Sequence, residues 1–266
     1  MNEIPEALIQ PSLYMWNGTI LVVNKIVQAQ VHSHNAIQIT IALNRPFLLK
    51  TDANWQSYNA AVVNSNRPHQ FDGGDGWQLF ILLEAETSIA RAIRQKLLQN
   101  NPVSAFHYQK DESFMRLMKA QSADKGEAVA LAQQVFLGVI GQIIGERQQF
   151  VPMDDRVRRI IEEIRACPEQ PAGIDAFAKE ACLTKSRLIH LFKEQMGVSM
   201  RSYILWSRLL MAVRLAAQGV SFTDAAYKTG FTDSPHLSHT FKRMFGVTLS
   251  DLLKDSSYIQ FFIAPL

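Results

Sequence analysis

IDAFAKEACLTKSRLIHLFKEQMGVS, at residues 174–199, and FTDAAYKTGFTDSPHLSHTFKRMFGVT, at residues 222–248, are two versions of one phrase. Ala178 matches Ala226, Cys182-Leu183 matches Gly230-Phe231, and Thr184 matches Thr232. Both versions close alike, in Phe192-Lys193-x3-Gly197-Val198-Ser199 and Phe241-Lys242-x3-Gly246-Val247-Thr248. The offset is 48 residues before the second helix of each copy and 49 after it, so the second copy has gained one residue. A repeat with a fixed internal plan marks a duplicated structural unit.

Each copy reads as helix, tight turn, helix. In the first, Ile174, Phe177 and Ala178 recur at helical spacing, and Ala178 is small enough for another helix to cross closely. Thr184 is placed to cap the next helix, whose inner stripe is Leu188, Leu191 and Phe192. In the second, Gly230 suits a left-handed turn, Thr232 or Asp233 caps, and Leu237 and Phe241 face inward. The outer faces carry Lys185, Ser186, Arg187, Ile189 and His190, and Ser234, Pro235, His236, Ser238 and His239. This is the helix-turn-helix plan, whose second helix enters the DNA major groove. Between the copies, residues 200–217 hold no Pro or Gly, and Leu205, Leu209, Ala212 and Ala216 form one stripe. A helix of that length, roughly 27 Å, is a spacer on the scale of one DNA turn, ~34 Å.

These residues resemble the AraC/XylS family of bacterial transcription regulators. The likeness runs from about Ile174 to Leu253 and is carried by the doubled unit, by Tyr203-x4-Arg208-Leu209-x2-Ala212, and by Ala226-x3-Gly230-Phe231-x9-Phe241-Lys242. Three places depart from the family pattern. Cys182 stands where Gly is usual, Leu249 where Pro is usual, and Leu253-Lys254 near a usual Tyr-Arg. The resemblance implies base contacts from Ser186, Ile189 and His190 and from Ser234, Pro235, His236 and His239, with Arg187 beside them. It implies phosphate contacts, which position without reading sequence, from Lys185, Lys193, Arg208, Lys242 and Arg243. All three histidines of the C-terminal half lie on the two expected reading helices, so protonation there would add charge next to phosphate.

The rest of the chain fits an α+β protein of two domains, residues 1–150 and 151–266, with helix-turn-helix units at 174–197 and 222–246. Net charge is +3, and the surplus sits in residues 151–266, with 15 Lys+Arg against 12 Asp+Glu. Such a small surplus would not by itself argue for nucleic acid. Cys167 and Cys182 have no partners at metal-motif spacing, so a reduced, cytoplasmic chain is expected. No basic-then-apolar leader opens the sequence and no apolar run nears ~20 residues, so no membrane span is expected.

Thr19–Val27, Ala36–Leu43, Ala60–Val63 and Trp77–Leu83 read as strands, separated by Asn44-Arg45-Pro46, Asn64–Pro68 and Asp72–Gly76. After Glu84 the period becomes helical: Ile89, Ile93 and Leu97; Phe114, Leu117 and Met118; then Val129 to Ile143, ending at Gly145. Gln148–Asp155 reads as the linker, and Asp154–Ala166 as a further helix. His32-Ser-His34 with Gln38 and the later His69 resembles the cupin barrel, where two histidines, an acid four residues on and a third histidine hold a metal. Here Gln replaces the acid and the flanking glycines are missing. His32, His34, Gln38 and Thr40 would share one face of a single strand, with Ile37, Ile39 and Ile41 on the other. No resident metal or cofactor is expected, with His32, His34 and His69 as the candidate ligands if there is one. His32, His34, Gln38, His69 and Trp77 are candidate contacts for a small-molecule effector. The helix at 129–145 is expected either to cover the barrel or, by family resemblance, to pack against a second subunit, with Gly138, Gly141 and Gly145 admitting a close partner.

The reading is therefore a DNA-binding regulator, not an enzyme. It is switched by an effector in a cupin-like sensor domain, homodimeric, and in contact with RNA polymerase if it activates. Two other classes stay open at this point: a metal-dependent cupin enzyme with an accessory helical half, and a regulator controlled by a protein partner.

Overall fold

The strands that a sequence makes most legible are those buried on both faces, and that rule organises the first half of this chain. The computed structural model describes residues 9–16, 18–52, 54–119, 125–145, 153–248 and 260–263. The chain divides into two units, Met1–Phe150 with Arg243–Leu266, and Val151–Lys242. Residues after Lys242, expected with the helical half, thus group with the first unit.

The first unit holds two sheets. The larger runs in the order β10 (Val103–Ala105), β7 (Ala60–Val63), β4 (Ala36–Ala42), β9 (Gln78–Glu84), β2 (Thr19–Asn24), β1 (Ser12–Trp16), β11 (Gln260–Ile263). The smaller runs β3 (Gln28–His32), β8 (His69–Asp72), β5 (Phe47–Lys50), β6 (Trp55–Tyr58). The four strands expected from sequence are β2, β4, β7 and β9, which are adjacent in the larger sheet. Every residue of β4, β7 and β9 is buried; β7 and the Leu79–Leu83 stretch of β9 are continuous apolar runs, and in β4 only Gln38 and Thr40 interrupt the apolar residues. Strands β3, β5 and β6 keep exposed positions and carry no such run. Ala42, Ala61, Val63 and Phe80 of the larger sheet pack against Ala29, Phe47, Leu49 and Phe71 of the smaller.

The single strand expected from His32 to Thr40 does not form. Strand β3 ends at His32, residues 33–35 are not strand, and β4 begins at Ala36 in the other sheet. A shift of register between Ala29 and His32 marks a bulge, which re-aims the side chain that follows it. Within β4, Ile37, Ile39 and Ile41 join the core on the helix side. Gln38 and Thr40, one residue out of step, project to the opposite face.

Three helices cover the outer face of the larger sheet: α1 (Ser88–Ile93), which continues as a π-helical turn over Arg94–Leu98, α2 (Glu112–Lys119) and α3 (Lys125–Ile144). Phe114, Leu117, Leu131, Val135 and Val139 join Leu21, Leu79 and Ile81 in one core. By length and composition alone Gly126–Ile144, at 19 residues, is apolar enough to cross a membrane, but half of that length is buried and its residues join the core against the larger sheet. Gln133 and Gln134 hide the run from a reader looking for uninterrupted apolar residues. Of the three glycines expected to admit a second helix, Gly141 alone faces open space. A Cβ on Gly138 would meet Asp111 Oδ2 at 3.0 Å, and one on Gly145 would meet Lys96 Nζ at 3.3 Å.

The apolar tail, for which composition offers no role, supplies β11. It lies parallel to β1, with Ser12 opposite Gln260 and Met15 opposite Ile263. Before it, Gly246 O accepts from Gln30 N (3.0 Å) and Val247 packs on the core between the sheets. Leu249, Leu253, Lys254 and the expected linker from Gln148 to Pro152 lie outside the described residues.

The second unit is helical: α4 (Asp155–Ala166), α5 (Ile174–Glu180), α6 (Lys185–Met196), α7 (Met200–Ala217), α8 (Phe222–Lys228) and all but the last three residues of α9 (Ser234–Phe245). Val157, Ile160, Ile164, Phe177, Leu188, Phe192 and Tyr203 form its first core. The buried face of α7 is not quite the expected one. Met200, Tyr203, Trp206, Leu209, Ala212 and Val213 are inside, whereas Leu205 and Ala216 are half-buried. Trp206 and Tyr203 are the largest fully buried side chains and so set the rotation of the helix.

Candidate DNA-reading surface and the histidine cluster

The repeat in the sequence is a repeat of hydrogen bonds. After α5, Cys182 N donates to Lys179 O (3.1 Å) and Leu183 N to Ala178 O (2.9 Å). After α8, Gly230 N donates to Tyr227 O (3.2 Å) and Phe231 N to Ala226 O (3.0 Å). Each helix therefore ends in the same closing turn, with a left-handed residue that sends the chain into the reading helix. That residue is Gly230 at φ +77° in one copy and Cys182 at φ +53° in the other. The reading helices are then capped by Thr184, whose Oγ1 accepts from Arg187 N (3.3 Å), and by Asp233, whose Oδ1 accepts from His236 N (2.7 Å). Left-handed glycines follow both, Gly197 and Gly246, each at φ +71°.

With Leu188, Leu191 and Phe192 inside, α6 turns Lys185, Ser186, Arg187, Ile189, His190 and Lys193 to solvent. Ile189 is 44% exposed, unusual for an isoleucine on a short helix with a filled core behind it. Lys185 Nζ pairs with Asp175 Oδ2 (3.1 Å), an exposed contact that a phosphate can replace. On α9, Pro235, His236, His239, Lys242 and Arg243 are exposed and Ser234 is half-buried. Pro235 stands in the first turn, where an amide has no partner within the helix, so its missing N–H costs nothing. The His236 ring leans edge-on against Phe231, centroids 5.2 Å apart.

Arg208 departs from its expected phosphate role. Its guanidinium donates from Nε to Pro168 O (2.8 Å), from Nη1 to Gly230 O (3.0 Å) and from Nη2 to Glu169 O (2.9 Å). It clamps α7 to the loop after α4 and to the turn of the second copy. Nothing in the linker phrase distinguishes a clamping arginine from a phosphate-binding one, because the acceptors are backbone atoms far away in sequence.

In the first unit, His32, His34 and His69 come together although they leave from different segments. His32 ends β3 and His69 begins β8, and the two are direct cross-strand partners. Their ring centroids lie 4.1 Å apart, with His34 at 5.8 Å from His32 and 5.3 Å from His69. All three are buried, and burial holds each imidazole below its ordinary titration range, His32 at about 4. His34 Nε2 is 3.0 Å from Gln38 Oε1, and Gln38 Nε2 donates to Thr40 Oγ1 (3.1 Å). Thr40, expected on the same face as Gln38 but not among the candidate effector contacts, thus joins the polar set. Trp77 does not join them and packs against the helix-side core.

Residues 177–255 match a family model described as a helix-turn-helix domain. The Arabinose operon regulatory protein of Escherichia coli (strain K12) is 27% identical over 138 residues, which cover 49% of this chain and 47% of that protein. The HTH-type transcriptional activator RhaS of Escherichia coli O139:H28 is 37% identical over 79 residues, 29% of this chain and 28% of RhaS. The chain thus spans about half the length, or less, of these curated relatives. Among solved structures, an apo variant of ToxT from Vibrio cholerae covers 91% of this chain and 98% of its own, with a TM-score of 0.61 at 12% identity. Unsaturated fatty acid bound wild-type ToxT covers 90% and 97%, with a TM-score of 0.57 at 14% identity. At such identities the likeness is one of fold: a β-rich first part followed by a helical one. A doubled helix-turn-helix with matching turns, in a stretch that matches the helix-turn-helix model and aligns with named regulators, shows that residues 177–255 form a helix-turn-helix domain similar to those of the Arabinose operon regulatory protein and RhaS.

Proposed function

We propose that the chain is a sequence-specific, double-strand DNA-binding regulator of transcription, acting in the cytoplasm. The observation that carries this reading is the pair of turns with matching hydrogen bonds, each feeding a capped helix whose outer face is polar and exposed. Helices α6 and α9 read bases through Ser186, Ile189, His190, Ser234, Pro235, His236 and His239, with Arg187 alongside. Lys185, Lys193, Lys242 and Arg243 hold phosphates. The 18-residue α7 spaces the two readers, at about 27 Å for ~1.5 Å per residue. The first unit holds a small-molecule effector; a ligand-bound structure of ToxT, which shares the fold, supports this. Dimerisation uses the outer face of α3, where Leu137 is 62% exposed and Gly141 is open. Contact with RNA polymerase follows if the protein activates.

The test is selection of a binding sequence by the full chain, followed by footprinting and anisotropy at several salt concentrations. Two adjacent protected grooves and a steep loss of affinity with salt are expected. Leu209→Pro breaks α7 at a buried position, at a cost of about 3 kcal/mol, and should abolish the double footprint. Attachment to no duplex at low salt, or an unchanged double footprint in that variant, refutes the reading.

A further inference from the structure

The second unit buries its aliphatic side chains with one exception. Among its described residues, Ile189 alone of the valines, leucines, isoleucines and methionines is exposed, at 44%. The fold gains nothing from it there, since isoleucine forms helix less readily than alanine or lysine. Its surroundings are cationic. Lys185, whose exposed partner is Asp175, and Lys193 stand one helical turn to either side, and the one acid of α6, Glu194, comes in the last turn. An apolar side chain between two lysines suits a polyanion that carries an apolar group of its own. Helix α9 has a counterpart. Counting 49 residues on, Pro235 takes the place of Ser186 and His239 that of His190. Pro235 is exposed in the first turn and offers only ring carbons, with no N–H.

We propose that Ile189 and Pro235 each cover the C5-methyl group of a thymine, so that a preferred site carries one thymine in each of two successive major grooves, about one turn apart. In the major groove guanine presents the acceptors N7 and O6, cytosine the N4 donor, and adenine an acceptor and a donor. Thymine alone adds an apolar group, its methyl. An aliphatic side chain laid on any other base edge strips water from a polar atom and returns no hydrogen bond. Against the methyl it removes apolar surface from water on both sides. The neighbouring Ser186, His190, Ser234 and His239 keep donors and acceptors for the adjacent bases. The assignment rests on α6 and α9 being the base-facing helices, and it gives that reading a base at each of two positions.

The test starts from a duplex selected by the full chain. Each thymidine is replaced in turn by deoxyuridine, which deletes the methyl and keeps every hydrogen-bonding atom, and affinity is read by anisotropy at fixed salt. One thymine in each protected groove should answer, with a loss of about 4-fold, the contribution of one buried carbon. The first loss should vanish in Ile189→Ala and the second in Pro235→Ala, each variant binding its thymine and uracil duplexes alike. Both side chains are exposed, and circular dichroism checks that helicity is kept. A loss that persists in the matching variant reports DNA shape rather than contact and overturns the assignment for that residue, as does a groove in which no thymine answers. Binding to no duplex at low salt would instead sink the regulator reading itself, whereas tight, salt-sensitive binding indifferent to uracil leaves that reading standing without this one.

Discussion

Replacing Cys182 by glycine should make the helical unit more stable although it deletes a side chain. Cys182 holds φ +53° at the closing turn between α5 and α6, where the second copy has Gly230 at φ +77°. An L-residue in that region costs about 1–2 kcal/mol, from crowding between Cβ and the following carbonyl. Glycine escapes that penalty but loses more backbone freedom on folding, roughly 0.5–1 kcal/mol. The net expected gain is therefore about 0.5–1 kcal/mol. Little is lost with the thiol, which is exposed and 3.9 Å from its nearest acceptor, Glu180 O. For a unit the size of Val151–Lys242, each kcal/mol moves Tm by roughly 4–8 °C, so calorimetry should place that transition ~2–8 °C higher. Hydrogen exchange at Leu183 N, bonded to Ala178 O, should slow in parallel. The reciprocal change, Gly230→Cys, should destabilise strongly. It meets the same left-handed penalty, and its Cβ would stand 2.9 Å from Glu169 O and 3.0 Å from Arg208 Cζ. A lower Tm for Cys182→Gly, or a harmless Gly230→Cys, would refute the argument that the two turns are one motif.

Arg208→Met removes three donors from the Pro168, Glu169 and Gly230 carbonyls and should lower the Tm of the helical unit, whereas a phosphate contact would change DNA affinity and leave Tm alone. Asp154→Ala removes the α4 cap, for a loss of about 0.5–2 kcal/mol. The hydrogen bond from Arg156 holds the Asp154 carboxyl at about 2, below its ordinary range, so the stabilisation is present above the ordinary carboxyl range and fades as pH falls through about 2. Acid titration of unfolding should therefore show a smaller low-pH loss in the variant than in the parent. Leu137→Glu, on the exposed side of α3, should shift sedimentation from dimer to monomer without changing the unfolding of the monomer.

How much of this could be read from the chain depends on where each signal is stored. The double helix-turn-helix was legible because it is written twice, and its capping and glycine positions are local. The middle of the larger sheet was legible because strands such as Ile37–Ile41 and Leu79–Leu83 are buried on both faces. Strands β5 and β6 were not, since Leu48 and Trp55 point outward and dilute the pattern. The tail strand was hidden for another reason: Gln260–Ile263 is defined by its pairing with β1, far away in sequence. The three histidines were picked out together, but His32 and His34 on one imagined strand. Their actual meeting depends on a bulge, a sheet-to-sheet crossing and a cross-strand pair, none of which has a local mark.

The tail strand also bears on how the protein can be cut. A fragment stopped near residue 150 would keep ten of the eleven described strands, yet it would strip β1 of its outer neighbour. The freed row of amides and carbonyls beside Ser12–Met15 is a template on which a second fragment can add itself. An isolated sensor made that way should clump or pair artificially, and joining residues 260–263 back through a short tether is the remedy the pairing suggests.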